Sequence, residues 1–192
     1  MKTIVLASNS SRRKEILESL GVDFRVIGSN IEEEISGQLS PVKVVERFAY
    51  LKAKNVSDKL NGHYIVIGAD TVVECDEILG KPRDECDAYG MLKLLSGRVH
   101  RVITGFAIID CLTGQRFVDY ESTKVYFKEL QDEEIQRYIV SGEYIDKAGA
   151  YAIQGKASLF IERIEGDYFN VVGLPVFKLG LALHNNFDIS LL

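Results

Sequence analysis

Apolar residues occur in short runs along this 192-residue chain, and segments with helical spacing separate those runs. A short apolar run predicts a β-strand, whereas apolar residues at every third or fourth position predict an amphipathic helix. The chain alternates between the two patterns and then becomes richer in strands. The predicted strands are residues 2–7, 24–28, 64–74, 100–110, 116–127 and 158–167. The predicted helices are residues 12–20, a helix that begins at Ser40, and residues 83–95, 130–142 and 171–185.

Single residues mark where several of these elements begin, end or turn. Ser40 suits the cap of a helix and Pro41 its first turn, while Gly21 suits a helix end. Residues 111–115, CLTGQ, form a turn between two β-rich stretches and predict a hairpin. A hairpin among strand–helix units predicts an α/β fold with a mixed sheet. With no linker or internal repeat, the chain is expected to form a single domain over residues 1–192.

The composition is that of an ordinary globular protein, with 46% hydrophobic and 27% charged residues. A formal net charge of −5 argues against nucleic acid or an anionic membrane as a partner. The first apolar run is too soon interrupted by polar residues for a signal peptide or membrane span, so we expect a cytoplasmic protein. The cysteines form no CxxC pair, which predicts free thiols; they are Cys75, Cys86 and Cys111.

The joint between the first strand and the first helix is dense in polar side chains. Ser8, Ser10 and Ser11 offer hydroxyl groups, and Arg12 and Arg13 offer planar guanidinium groups suited to phosphate oxygens. A helix N-terminus adds unpaired backbone N–H groups and a partial positive charge. The pattern therefore predicts a phosphate-binding site. The alternative is a serine-capped helix with solvated arginines, and neither a P-loop nor a dinucleotide fingerprint is present.

Acidic and basic candidates follow at four places. Asp70 lies between two apolar runs, so its carboxylate is either a metal ligand or general base at a strand end, or a structural group hydrogen-bonded to a turn. Lys81 lies in a Gly-Lys-Pro turn and Lys52 late in the second helix, where lysines are usually solvated. Residues 32–34 are three glutamates, which form either a solvated face or part of a Mg²⁺ site that also uses substrate phosphates.

Gln154 lies in the small, glycine-rich stretch KAGAYAIQGKAS, which we expect to be a loop. Its amide offers a donor and an acceptor together, as recognition of a nucleotide base edge requires. The alternative is a surface glutamine in a glycine turn.

Six segments together resemble the Maf family of nucleoside triphosphate pyrophosphatases. The resemblance runs from Leu6 to Pro175. It implies an α/β fold with a long mixed sheet flanked by helices and with a cleft. This fold is related to that of the inosine-triphosphate pyrophosphatases, and members are often homodimers. It also implies hydrolysis of a nucleoside triphosphate to the monophosphate and pyrophosphate, with Mg²⁺ or Mn²⁺ as cofactor. The segments are SNSSRRKEIL, IVIGADTVV, LGKP, LSGRVHRVITG, DKAGAYAIQG and GDYFNVVGLP.

The same resemblance implies roles for individual residues in catalysis. Asp70 matches the acidic residue taken as proton acceptor for the attacking water. Ser8, Arg13, Lys52 and Lys81 match polar positions of the phosphate site, and we place both lysines in the catalytic group with Asp70.

Further positions match the metal site and the choice of base. Glu33 resembles the second acidic residue near the metal, beside Asp70. Arg12, Thr71 and Gln154 match the trio that marks the subfamily acting on dTTP and UTP. The expected activity is therefore hydrolysis of dTTP or UTP, and of modified pyrimidine nucleotides as a further option.

Two other functions remain open at this point. One is a non-catalytic nucleotide-binding regulator of cell division, although a sensor has no need of Asp70, Lys81 and Glu33. The other is a pyrophosphatase directed at inosine or xanthosine triphosphates, against which Gln154 and Arg12 argue through the resemblance alone.

Overall fold

The computed structural model describes residues 2–31 and 39–191, and these residues contain seven strands and six α-helices. The strands are β1 (Thr3–Leu6), β2 (Phe24–Val26), β3 (Tyr64–Cys75), β4 (Glu77–Leu79), β5 (Val99–Asp110), β6 (Arg116–Phe127) and β7 (Ile161–Glu165). The helices are α1 (Ser11–Ser19), α2 (Pro41–Ser57), α3 (Glu85–Leu95), α4 (Asp132–Val140), α5 (Tyr168–Val172) and α6 (Val176–Phe187).

The strands form one mixed sheet in the order β2-β1-β3-β5-β6-β7, with β4 paired to β3. Strand β1 runs parallel to β2 on one side and to β3 on the other, with Leu6 opposite both Val26 and Ile67. Strands β4 and β7 are antiparallel to β3 and β6. The predicted α/β fold with a mixed sheet is therefore confirmed, and the hairpin predicted around residues 111–115 joins β5 to β6.

The chain folds into two compact units. The first unit contains Met1–Asp70, Thr104–Glu121 and Gly173–Leu192. The second contains Thr71–Ile103 and Ser122–Val172. Each unit therefore draws on separate stretches of sequence, and the expectation of a single domain over residues 1–192 stays a prediction.

Helix α2 covers part of the sheet in the first unit. The helix begins as its sequence predicts, because the Ser40 hydroxyl caps the N–H of Lys43 and Pro41 occupies the first turn. Its inward face carries small side chains, including Ala49 and Ala53. These pack with Val56 against buried residues of three strands, which are Val5, Ala7, Val66, Ala107 and Ile109.

The second unit has its own core, built mainly from α3, α4 and aromatic side chains. Helix α4 begins with a capping box, in which the side chain of Gln131 and that of Glu134 each accept a backbone N–H of the other residue. The rings of Phe127, Tyr138 and Phe160 meet edge to face. These rings belong to the buried core of the second unit.

Three elements differ from the sequence prediction. The closing helix predicted over residues 171–185 is two helices, because Gly173 has a φ of 125° and Pro175 precedes α6 as its cap. Strand β3 is followed by the three-residue strand β4, which is absent from the predicted strands, and Asp76 permits the turn between the two strands by adopting a φ of 60°. The predicted strand 158–167 begins only at Ile161, since a 3₁₀ turn occupies Lys156–Phe160.

In the part of the chain that the structure describes, every helix is too short or too polar to cross a membrane.

Candidate active site

The corner between β1 and α1 is held by serine hydroxyl groups. The Ser10 hydroxyl caps α1 by accepting the N–H of Arg13 at 3.5 Å, so the capping interpretation is correct for this residue. The Ser8 hydroxyl oxygen accepts two other hydrogen bonds, from the Ser10 N–H and from Nη1 of Arg13, both at 3.2 Å. Because a hydroxyl oxygen has two lone pairs, both of which these contacts use, a further hydrogen bond at Ser8 would be one that its O–H donates.

Arg13 is a buried arginine, with 9% of its surface exposed. Its Nε donates to the carbonyl oxygen of Gly173 at 2.7 Å, while Nη1 donates to Ser8. These two contacts fix the plane of the guanidinium group at the N-terminus of α1. Arg13 is therefore not the solvated arginine of the alternative interpretation, whereas its neighbour Arg12 is partly exposed.

Lys52 of α2 and Asp70 of β3 form a buried ion pair. Lys52 Nζ lies 2.6 Å from Asp70 Oδ1, and the two residues are 8% and 6% exposed. A buried ion pair contributes little net stability because both charges lose their hydration. Its presence therefore points to chemistry rather than to packing, and the expectation of a solvated lysine at position 52 is wrong.

Asp70 lies within β3 and not at the end of the strand, where the interpretation as a metal ligand or general base had placed it. Five more residues of β3 follow it because the strand continues into its pairing with β4. The shorter strand β1 ends opposite Ile67, where the Ala7 N–H donates to the Ile67 carbonyl at 2.7 Å. Asp70 thus lies beyond the carboxyl end of β1, the same end from which the Ser8–Arg13 corner departs.

This location is the point where the strand order reverses. Strand β1 is followed along the chain by β2 on one side and by β3 on the other. In open α/β sheets, the crevice outside the carboxyl ends of the strands at such a switch point is the usual ligand site. The fold therefore brings the Ser8–Arg13 corner and the Lys52–Asp70 pair to the same edge of neighbouring parallel strands.

Three further predicted site residues belong to the second unit. Thr71 follows Asp70 directly along β3 and is half-buried, while Lys81 and Gln154 are exposed in loops. The N–H of Gly149 donates to the carbonyl of Gly80 at 3.0 Å, which ties the turn before Lys81 to the loop that leads to Gln154. Their roles stay predictions.

The proposed metal ligand Glu33 lies outside the residues that the structure describes. Within residues 2–31 and 39–191, no three His, Cys, Asp or Glu side chains are grouped so as to hold a metal ion. Mg²⁺ is commonly bound by one or two carboxylates together with substrate phosphates. Asp70 therefore fits a metal that arrives with a triphosphate, and the described residues do not form a metal cage of their own.

Two residues of the segment GDYFNVVGLP make buried hydrogen bonds that were not predicted from the sequence. One is Gly173, whose carbonyl holds Arg13. The other is Asn170, which is 0% exposed and donates through Nδ2 to the Val102 carbonyl at 3.0 Å and to the Thr123 hydroxyl at 2.9 Å. A lone amide among apolar residues was the available signal, since a buried amide must find hydrogen-bond partners.

Comparison with known proteins identifies the class. Residues 3–186 match the family model described as "Maf-like protein", so the chain belongs to the Maf family. This confirms the resemblance inferred from its motifs. The dTTP/UTP pyrophosphatase of Alkaliphilus oremlandii (strain OhILAs) is 64% identical over 192 residues and aligns over 100% of both chains. That of Alkaliphilus metalliredigens (strain QYMF) is 51% identical over the same share of both chains.

Solved structures show a weaker likeness. The Ham1 protein of Staphylococcus aureus matches 66% of this chain and 72% of its own, with a TM-score of 0.49 and 20% identity. This degree of similarity does not define the fold. The implied relation to the inosine-triphosphate pyrophosphatases therefore stays a prediction.

Proposed function

We propose that this chain hydrolyses dTTP and UTP between the α- and β-phosphates, releasing the nucleoside monophosphate and pyrophosphate. Membership of the Maf family and the names of two relatives that align over the whole chain support the substrate class. The observation that carries the proposal is the buried Lys52–Asp70 pair at the carboxyl edge of β1, beside the Ser8–Arg13 corner.

The corner binds phosphate in this proposal. The Ser8 hydroxyl donates a hydrogen bond to a phosphate oxygen, because both lone pairs of its oxygen accept hydrogen bonds from Ser10 and Arg13. The guanidinium of Arg13 and the N-terminus of α1 add positive charge that is already oriented before the substrate arrives. Fixed donors of this kind lower the barrier because they need no rearrangement as charge builds on the phosphates.

The Lys52–Asp70 pair acts on the attacking water and on the charge of the substrate. Asp70 either accepts a proton from that water or holds the metal, and both roles remain open. Lys52 holds the carboxylate in place through its 2.6 Å contact and places an ammonium group at the same site. An ammonium there offsets negative charge on the phosphoryl oxygens during transfer.

A divalent metal, Mg²⁺ or Mn²⁺, is the proposed cofactor. When bound with the triphosphate it withdraws charge from the phosphate oxygens. Asp70 would hold it, and Glu33 is the second proposed ligand. Lys81 is proposed to bind phosphate as well.

Recognition of the pyrimidine base is assigned to Arg12, Thr71 and Gln154. Their match to the dTTP/UTP trio of the family supports this assignment, and the amide of Gln154 can donate and accept at a base edge. A homodimer is proposed on the resemblance alone, and light scattering on the purified protein tests it. A cytoplasmic location is proposed from the sequence analysis.

The test is a panel of nucleoside triphosphates assayed with Mg²⁺ and with Mn²⁺ for release of pyrophosphate. We expect dTTP and UTP to be cleaved to the monophosphate, and ITP and XTP to be poor substrates. Orthophosphate as the only product would contradict the cleavage position. Tight binding without any product in a single-turnover experiment would instead identify a nucleotide-binding regulator.

A further inference from the structure

Two glycines on neighbouring strands face the backbone of α2 at unusually short range. A Cβ placed on Gly68 of β3 would lie 2.3 Å from the carbonyl oxygen of Ala49 and 2.7 Å from the nitrogen of Ala53. A Cβ on Gly105 of β5 would lie 2.5 Å from the carbonyl oxygen of Val45. Helix α2 therefore rests directly on the sheet at two points one helical turn apart.

The same helix and strand carry the buried ion pair. Lys52 lies on α2 between Ala49 and Ala53, the two residues that approach Gly68. Asp70 lies two residues after Gly68, and alternate residues of a strand point to the same face of the sheet. The close contact at Gly68 therefore lies next to both residues in sequence, and the spacing of α2 and β3 at this contact controls the distance between Lys52 and Asp70.

We propose that Gly68 and Gly105 are positioning residues that hold α2 close enough to the sheet for Lys52 to contact Asp70. Carbon contacts normally begin near 3.4 Å, so a methyl group at Gly68 requires α2 to move away from β3 by about 1 Å. The obstacle is helix backbone, so no side-chain rotation relieves it. The stem of Lys52 is itself buried among its neighbours, which limits how far the ammonium can follow Asp70 once the helix has moved.

Kinetic consequences rest on the proposed function, whereas the geometry does not. Displacement of a reacting group by about 1 Å can cost on the order of a hundredfold in rate. We therefore expect Gly68→Ala to lower kcat for dTTP by about tenfold or more while KM changes by less than about threefold. Gly105→Ala is expected to lower kcat less, because its contacts lie at Val45 and Glu46, farther from Lys52.

The experiment combines kinetics with crystal structures of Gly68→Ala and Gly105→Ala. Gly180→Ala is the matched control, because a Cβ there comes no closer than 3.9 Å to any neighbour, and its kcat should equal that of the natural chain. We expect the Lys52–Asp70 separation in Gly68→Ala to exceed hydrogen-bonding distance. If Gly68→Ala does not fold, kcat and the Lys52–Asp70 separation are measured in Gly105→Ala instead.

Different results overturn the two proposals. An unchanged 2.6 Å contact with unchanged kcat in a folded Gly68→Ala variant refutes the positioning role. An equal loss of kcat in Gly68→Ala and Gly105→Ala, following their loss of thermal stability, also refutes it, since it indicates general destabilisation. Absence of pyrophosphate release by the natural chain refutes the proposed function instead, and the crystal structures then still test the geometry.

Discussion

The Nε of Arg13 donates a 2.7 Å hydrogen bond to the carbonyl oxygen of Gly173, although 160 positions separate the two residues. Gly173 reaches this place because its φ of 125° turns the chain between α5 and α6. The bond ties the first turn of α1 to the beginning of the C-terminal segment of the first unit. The proposed phosphate site is therefore closed by a part of the chain that its own motif does not contain.

Replacing Arg13 by lysine tests this arrangement. Lysine keeps the charge but cannot donate to Gly173 and Ser8 with two groups of one rigid plane. We expect KM for dTTP to rise by roughly ten- to a hundredfold, the size of a lost hydrogen bond to a charged group, with a smaller change in kcat. Arg137→Lys, an exposed arginine of α4, is the control, and unaltered kinetics in Arg13→Lys would remove Arg13 from the substrate site.

Asp70→Asn tests the reaction chemistry separately from binding. Asparagine has nearly the same shape but neither accepts a proton from water nor carries the charge that holds a metal. We expect pyrophosphate release to fall by roughly 10²- to 10⁴-fold while dTTP binding, measured by calorimetry, is retained. Asp58→Asn is a matched control, because Asp58 also pairs with a lysine of α2, Lys54 at 2.8 Å, but on an exposed surface. Full activity of Asp70→Asn would exclude this residue from the mechanism.

The sequence predicts those features whose causes are local. The start of α2 was predictable because a serine cap and a proline in the first turn act within a few residues. The polar corner at Ser8 was also predictable, since hydroxyl and guanidinium groups are concentrated in six positions. The acidic candidate Asp70 was visible for a similar reason, as a carboxylate inside an apolar run.

Features that depend on distant partners were not predictable. The burial of Lys52 depends on Asp70, which belongs to a different element, so its own neighbours on α2 gave no sign of it. The contact between Arg13 and Gly173 spans most of the chain. The division of the last predicted helix into α5 and α6 depends on the backbone at Gly173, and the apolar periodicity runs across that position unchanged.

The buried imidazole of His100 should lower the free energy of unfolding in mild acid. The ring is 2% exposed, contacts Phe127 edge to face, and its Nε2 lies 2.7 Å from the Tyr151 hydroxyl. Burial lowers the pKa of His100 from 6.5 to about 4. The unfolded chain therefore binds more protons than the folded chain between these two pH values, so stability falls as pH drops through that window and levels off below it.

The expected loss is at most about 3 kcal/mol of unfolding free energy between pH 6.5 and pH 4. Urea denaturation at several pH values measures this loss. In His100→Gln, the free energy of unfolding should depend less steeply on pH in this range. The carboxyl group of Asp110 titrates lower: burial alone would raise its pKa, but hydrogen bonds from Lys2 and from backbone N–H groups hold it below its usual range. Its contribution is lost at more acidic pH, so an unchanged slope in His100→Gln would contradict the assignment to His100.

The buried pair itself allows stability to be separated from catalysis. Lys52→Met removes the ammonium group that contacts the buried Asp70 carboxylate at 2.6 Å, which should lower the free energy of unfolding by about 3–5 kcal/mol. In Lys52→Met/Asp70→Leu both charges are absent, and an apolar pair of similar volume should restore most of that loss. Both variants should lose pyrophosphate release, because the proposed reaction requires the two charged groups whereas folding does not require them. Lys54→Met, at an exposed pair, should lower the free energy of unfolding far less than Lys52→Met does. Turnover in the double variant would show that catalysis does not depend on Lys52 and Asp70. If the double variant is as unstable as Lys52→Met, the loss of stability in Lys52→Met is not caused by the buried charge of Asp70.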